Sequence, residues 1–246
     1  NKNISFAFKN DLYSINSGDD NDDNNVYKNI NSIIFSFNYN DTETYQSSIS
    51  PETGYSLSLS YQHANHLIGS DDTFHKVLFD GRNYLPLSGK NQVLALRLVA
   101  GTATGELNKE ELFYLGGNAN NTSPSSVNRG SFPLRGFPSN AFSGNNLLSF
   151  SAEYRFPIKS VEKKIGFDWA SVFLDRISGT LFLDAGNSWE GNFIPFDQNI
   201  HASAGAELHF KFKQARGTPL TLTIGAGKSL TGDSAFRFYF QTGISF

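Results

Sequence analysis

Alternation with a period of two recurs along nearly the whole chain and restricts its fold more than any other feature. Residues 55–62 show it most cleanly, with Tyr55, Leu57, Leu59 and Tyr61 set against Ser56, Ser58, Ser60 and Gln62. Successive side chains of an extended strand point to opposite faces, so such a segment has one apolar face and one polar face. The same pattern predicts strands near 3–13, 28–46, 72–86, 91–104, 147–157, 178–188, 200–213, 219–230 and 235–246, about ten in all. Most exceed the roughly 5–6 residues usual in soluble sheets. Many approach the roughly 9–11 residues that cross a bilayer as a tilted strand.

The two faces differ in the way a wall between lipid and a wet lumen would. The apolar faces carry Leu148, Phe150, Ala152, Tyr154 and Phe156 in one strand and Phe236, Phe238, Phe240 and Phe246 in another. Aromatic residues concentrate near strand ends, at Tyr55, Tyr61, Tyr154, Phe156, Phe210, Phe212 and Phe246, as in the girdles of membrane barrels. The opposite faces mix small residues with Arg97, Glu153, Arg155, Asp184, Glu207, Lys211 and Arg237. A soluble β protein would also alternate, but its polar face would lie outside. The expected fold class is therefore all-β, a transmembrane antiparallel β-barrel, because unpaired backbone is excluded from lipid and the sheet must close. No run of 18 apolar residues exists, so a transmembrane helix is not expected. The formal net charge of −3 gives no support for nucleic-acid binding, and the absence of cysteine removes disulfides and thiolate metal sites.

One stretch breaks the rhythm. Residues 105–146 show no periodicity, and a loop of that length inside a compact domain is usually functional. Near its end it presents Ser131-Phe-Pro-Leu-Arg-Gly-Phe-Pro138, with a single arginine between Leu134 and Gly136. With the last strand ending in the periplasm, the turns at 47–53, 87–90 and 214–218 fall on the periplasmic side. The loops at 14–27, 105–146 and 189–199 fall outside, and longer external loops are what bacterial barrels show. Pro157 is expected to close its strand; the segment 158–177 is ambiguous, and within it Asp168–Leu174 reads as a short interfacial helix or a strand extension. The acidic run Ser17–Asn25 reads as a solvated loop rather than a calcium loop, since the glycine and distal glutamate of such a loop are missing. His63 and His66 would point to opposite faces of a strand, so neither a metal site nor a cofactor is expected.

Four motifs in order resemble a known family. Leu115-Gly-Gly117 is followed by Leu134-Arg-Gly-Phe137, then Ser151-Ala-Glu-Tyr-Arg-Phe-Pro-Ile158, then Phe182-Leu-Asp-Ala-Gly186. Together, from about Pro51 to Phe246, they resemble the carboxyl-terminal barrel of the outer-membrane insertase and translocase superfamily. That superfamily includes BamA-like and TamA-like assembly factors, surface-antigen barrels and two-partner secretion transporters. The resemblance implies a sixteen-strand barrel behind periplasmic POTRA domains, of which this chain would be about the last ten strands, a partial domain over residues 1–246. It also implies that the long external loop folds into the lumen, where Arg135, Gly136 and Phe137 form a lock.

The lumen partners implied for that lock are Glu153 and Asp184, with Phe182 and Gly186 in the same motif. Alternation alone already puts both acids on the inward face. Phe238, Phe240, Gly243 and Phe246 resemble the terminal-strand signal read by the barrel-assembly machinery, and they would form one side of a lateral seam. The implied function is non-enzymatic insertion or export of other polypeptides in the bacterial outer membrane. Its partners would be outer-membrane lipid, nascent outer-membrane or secreted polypeptides, POTRA domains and accessory lipoproteins, with no nucleic acid. The alternative is a dedicated secretion pore, or an anchor and exporter for a fused upstream lipase or propeller domain. A passive porin fits the loop motifs less well, and no Gly-x-Ser-x-Gly elbow suggests an enzyme.

Overall fold

A computed structural model of the chain describes residues 1–16, 25–44, 48–118, 130–165, 172–193, 199–214, 220–232 and 235–244. Five strands come first: β1 (Lys2–Asn16), β2 (Asn25–Asn40), β3 (Gly54–Ala64), β4 (Phe74–Pro86) and β5 (Val93–Gly105). An insertion then carries three short strands, β6 (Phe113–Leu115), β7 (Ser131–Phe132) and β8 (Phe142–Gly144). Five more complete the chain: β9 (Asn146–Ile165), β10 (Val172–Trp189), β11 (His201–Gln214), β12 (Leu220–Ser229) and β13 (Phe236–Ile244). The ten long strands form one antiparallel sheet in chain order, β5 pairing directly with β9 across the insertion. Each predicted strand has its counterpart.

Register fixes which side chains share a face. On β4, Phe74, Lys76, Leu78, Asp80 and Tyr84 are buried, while His75, Val77 and Leu85 are exposed. The exposed face continues through Phe35, Leu59, Leu98, Phe150, Leu181, Leu183, Leu208, Ile224 and Phe240. So large a contiguous apolar surface suits contact with lipid. The sheet ends at β1 and β13, and among the described residues these two strands each pair with one neighbour only.

The insertion folds back against the inner face. β6 pairs with β7 in parallel and with β8 antiparallel. Strands of two or three residues are too short for alternation to register, which is why this part of the sequence reads as aperiodic. Phe113, Leu115, Phe132 and Leu134 of the insertion pack on Leu78, Val99, Ala103 and Leu147 of β4, β5 and β9. Polar ties frame this core. Lys76 Nζ donates to the Glu111 carbonyl at 2.8 Å, and Ser188 Oγ donates to the Phe113 carbonyl at 2.9 Å. The insertion is thus a packed plug, not a solvated excursion.

One expectation is corrected, and one left open is decided in part. Pro157 does not close its strand, because β9 runs on to Ile165. The β9–β10 register shifts there, pairing Ser178 with Pro157 and Ile177 with Lys159, so that Ile158 is left over as a bulge. A bulge is where a strand tolerates a residue that lacks an N–H. Of the two readings of Asp168–Leu174, the strand extension holds from Val172 on, and 168–171 lie outside the described residues; 158–165 and 172–177 are strand. A second register shift between Leu174 and Arg176 lets that pairing continue. The acidic run at 17–25 lies almost wholly outside the described residues. His63 and His66 do not form a pair: His63 stacks on His75 at 4.5 Å between ring centroids, and His66 sits in a turn beyond the strand.

Phe113 is fully buried, with its ring seated over Gly101 and the Lys76 ammonium 4.7 Å from the ring centroid. Truncation of such a side chain costs about 3–5 kcal/mol. Phe113→Ala should therefore loosen the insertion and expose it to added protease, while the ten-strand sheet keeps its folded, heat-modifiable mobility on a gel.

Candidate functional site

The tip of the insertion is a tight turn over Leu134–Phe137, closed by the Phe137 N–H donating to the Leu134 carbonyl at 3.3 Å. Leu134 is anchored in the apolar core, and its N–H bonds the Gly117 carbonyl at 3.1 Å. Gly136 has a φ of +88°, a region open to glycine and strained for other residues. It also needs space. A Cβ there would come within 3.1 Å of the Lys228 backbone, and a Cβ on Gly227 would come within 2.9 Å of the Gly136 nitrogen. The turn therefore lies flat on β12 because glycine stands on both sides of the contact.

This placement aims Arg135 at the wall, where it is only 8% exposed. Its Nε and Nη2 donate to the two oxygens of Asp184 at 2.7 and 2.8 Å, and its own backbone N–H reaches Asp184 Oδ2 at 3.3 Å. Nη2 also lies 2.8 Å from Glu153 Oε1 and 3.1 Å from Ser151 Oγ. Nη1 donates to Glu207 Oε1 at 3.3 Å. The guanidinium carbon sits 3.8 Å from the centroid of the Phe182 ring. All three nitrogens are thus engaged, and the planar fork makes the two-point contact with Asp184 that a lysine could not. Burial disfavours the charge, but the Glu153 and Asp184 carboxylates outweigh it and hold Arg135 protonated well above its ordinary range.

Strand register explains how these groups meet. Asp184 pairs with Ser151 across β9–β10, and Ser151 Oγ donates to Asp184 Oδ1 at 2.6 Å. Phe182 pairs with Glu153 on one side and with Gly205 on the other, and a Cβ on Gly205 would overlap the Phe182 ring. Glu153 is shared, since Arg155 Nε also reaches its Oε2 at 2.8 Å.

Some anticipated residues lie elsewhere. Phe137 packs on Phe142 and His201 rather than on Arg135, with centroids 5.5 and 5.8 Å away. Gly186 lies beneath Leu115 and the β9 backbone, away from the guanidinium. Phe238 and Phe240 stand on the outer face of β13, Phe238 being 81% exposed, and a Cβ on Gly243 would meet nothing within 4 Å. Phe246 lies outside the described residues. Glu207 and Ser151 were not among the anticipated partners of Arg135. Alternation had already turned Glu207 inward, but nothing in a linear sequence shows that β11 comes within reach of the loop tip.

The sequence of residues 1–246 matches the Omp85 superfamily domain. The chain belongs to the Omp85 superfamily. The match takes in β1 and β2, which carry no family motif beyond their alternation and so lie outside the stretch whose motifs resemble the family. No curated protein matches the chain. Among solved structures, it is similar to the crystal structure of BamA from Haemophilus ducreyi lacking POTRA domains 1-3. The TM-score is 0.62 at 18% identity, covering 89% of this chain and 44% of that one. At that identity the likeness is one of fold, and the chain spans less than half the length of the solved relative. The Omp85 assignment makes the sheet part of an outer-membrane β-barrel of the assembly and translocation class.

In the Arg135 cluster two arginines face three carboxylates. Breaking a buried ion pair costs about 3–5 kcal/mol, because the remaining charge is left uncompensated. Arg135→Ala should therefore lower the urea midpoint of the folded barrel more than Asp184→Ala, which leaves Arg135 two acids. Adding Glu207→Gln to Arg135→Ala should recover part of the loss, and Arg135→Lys should fall short of the wild type.

Proposed function

We propose that this barrel inserts or exports other polypeptides at the bacterial outer membrane, and that Arg135 locks the infolded loop in the lumen as part of that machinery. The observation that carries the reading is the convergence of strands β9, β10 and β11 on one guanidinium delivered by the loop. The infolded-loop motif set argues against a passive pore. The proposed mechanism forms no covalent intermediate. β13 would form one side of an incompletely paired seam between the first and last strands of the barrel, and an incoming strand would pair with it there by β-augmentation. Gly243 adds little packing to that edge, which favours exchange of partners there.

In this reading, further strands upstream complete the wall beside β1, since an unpaired edge has no place in lipid. Periplasmic POTRA domains would present clients, and accessory lipoproteins would assist. Lipid contacts the outer apolar face, and nascent outer-membrane or secreted chains are the clients.

The test is made in cells that depend on the full-length protein. Arg135→Ala should leave a membrane-inserted barrel but reduce the folded amount of client barrels at least several-fold, with Arg135→Lys in between. Normal client assembly by a normally abundant Arg135→Ala protein would refute the lock. Export of a single dedicated partner, with other barrels unaffected, would instead identify a secretion pore.

A further inference from the structure

The last strand carries a residue that reaches the Arg135 cluster. Tyr239 lies on β13 between Phe238 and Phe240, which point outward, so its own side chain turns toward the lumen. Its hydroxyl donates to Glu207 Oε1 at 2.6 Å. The same oxygen accepts from Arg135 Nη1 at 3.3 Å. β12 stands between β11 and β13, and a side chain there would ordinarily keep the two apart. The intervening residue is Gly225, paired with Glu207 on one side and Tyr239 on the other. A Cβ at Gly225 would overlap the Tyr239 ring, which lies flat across the glycine to reach the carboxylate.

An edge strand of the sheet is thereby joined to the cluster that holds the loop tip. Among the described residues β13 pairs only with β12, and Arg135 is bonded to three other strands. A shared acceptor transmits in both directions, because a coupling free energy between two sites is reciprocal. Glu207 held by Tyr239 is oriented to meet Nη1. Glu207 released by Tyr239 can turn away, and Arg135 then loses one of its three acids.

We propose that Tyr239 is a positioning residue that couples the β13 edge to the docking of the loop tip, through Glu207. Movement of β13 toward an incoming polypeptide strand breaks the Tyr239–Glu207 bond and loosens the turn at 134–137. Conversely, undocking of Arg135 frees β13. The inference rests on reading β13 as the seam and adds to it a specific line of communication.

Hydrogen exchange on the full-length protein in lipid nanodiscs tests it. Two segments are followed, 131–138 and 236–244, in the wild type, Tyr239→Phe, Arg135→Ala and the double variant. Tyr239→Phe keeps the ring over Gly225 and removes only the hydroxyl. It should raise exchange at 131–138 about tenfold, as loss of a hydrogen bond to a charged group does. Arg135→Ala should raise exchange at 236–244, and Tyr239→Phe should add little on top of it at either segment. Additive effects, or effects confined to the mutated segment, overturn the proposal. Should Tyr239→Phe fail to assemble, Glu207→Gln takes its place. It still accepts from Tyr239 but loses its charge toward Arg135, so 131–138 should loosen and, through the coupling, 236–244 should loosen with it. Loosening confined to 131–138 overturns the proposal. Additive exchange in a barrel that inserts clients normally overturns this coupling and leaves the proposed function standing. Coupled exchange in a barrel that inserts no client supports the coupling and overturns the seam reading.

Discussion

A guanidinium held inside the lumen is the constraint on which the rest of the arrangement depends. A buried cation is tolerated only where carboxylates and hydrogen bonds compensate it. Here the compensation comes from Asp184, Glu153 and Glu207, on three adjacent strands. Each of those strands must therefore keep its register, because a slip of one residue would turn its acid toward lipid. The loop must keep its turn, because only the conformation at Gly136 brings Arg135 to the wall. The β12 wall must stay bare at Gly227, because the turn rests on its backbone. One charge in an unusual place thus fixes strand register, loop geometry and the positions of glycine together.

Much of this was legible in the sequence because strands announce themselves by alternation. Ten segments were expected and ten form the sheet, and Glu153, Asp184 and Glu207 were placed on the inner face by counting alone. What failed to show was whatever depends on contacts across strands. Phe182 was readable as part of a motif, but its position under Arg135 follows from pairing with Glu153 and Gly205. Gly205, Gly225 and Gly227 look alike in sequence, yet one accommodates Phe182, one Tyr239 and one the loop backbone. Pro157 looked like a strand end because a proline usually is one, and the bulge beside it is invisible without the partner strand. The short strands β6, β7 and β8 left no period to detect.

The loop is held in two physically different ways, at two places. Its base is held by apolar burial: Phe113, Leu115 and Phe132, joined by Leu134 where the turn begins, lie against β4, β5 and β9. Such burial is non-directional and grows with area. Its tip is held by hydrogen-bonded charge on β9, β10 and β11, which is directional and demands geometry. Burial keeps the loop inside the barrel, whereas the ion pairs determine where its turn sits. The division matches the distance of each anchor from the open edge. β4 and β5, which carry the apolar base together with β9, are remote from β13, whereas β12, on which the turn rests, pairs with it directly. A disturbance entering at β13 therefore meets the directional anchor first and can shift the tip while the base stays packed. A loop held by burial alone would respond to such a disturbance hardly at all. One held by ion pairs alone would be lost from the lumen when they broke.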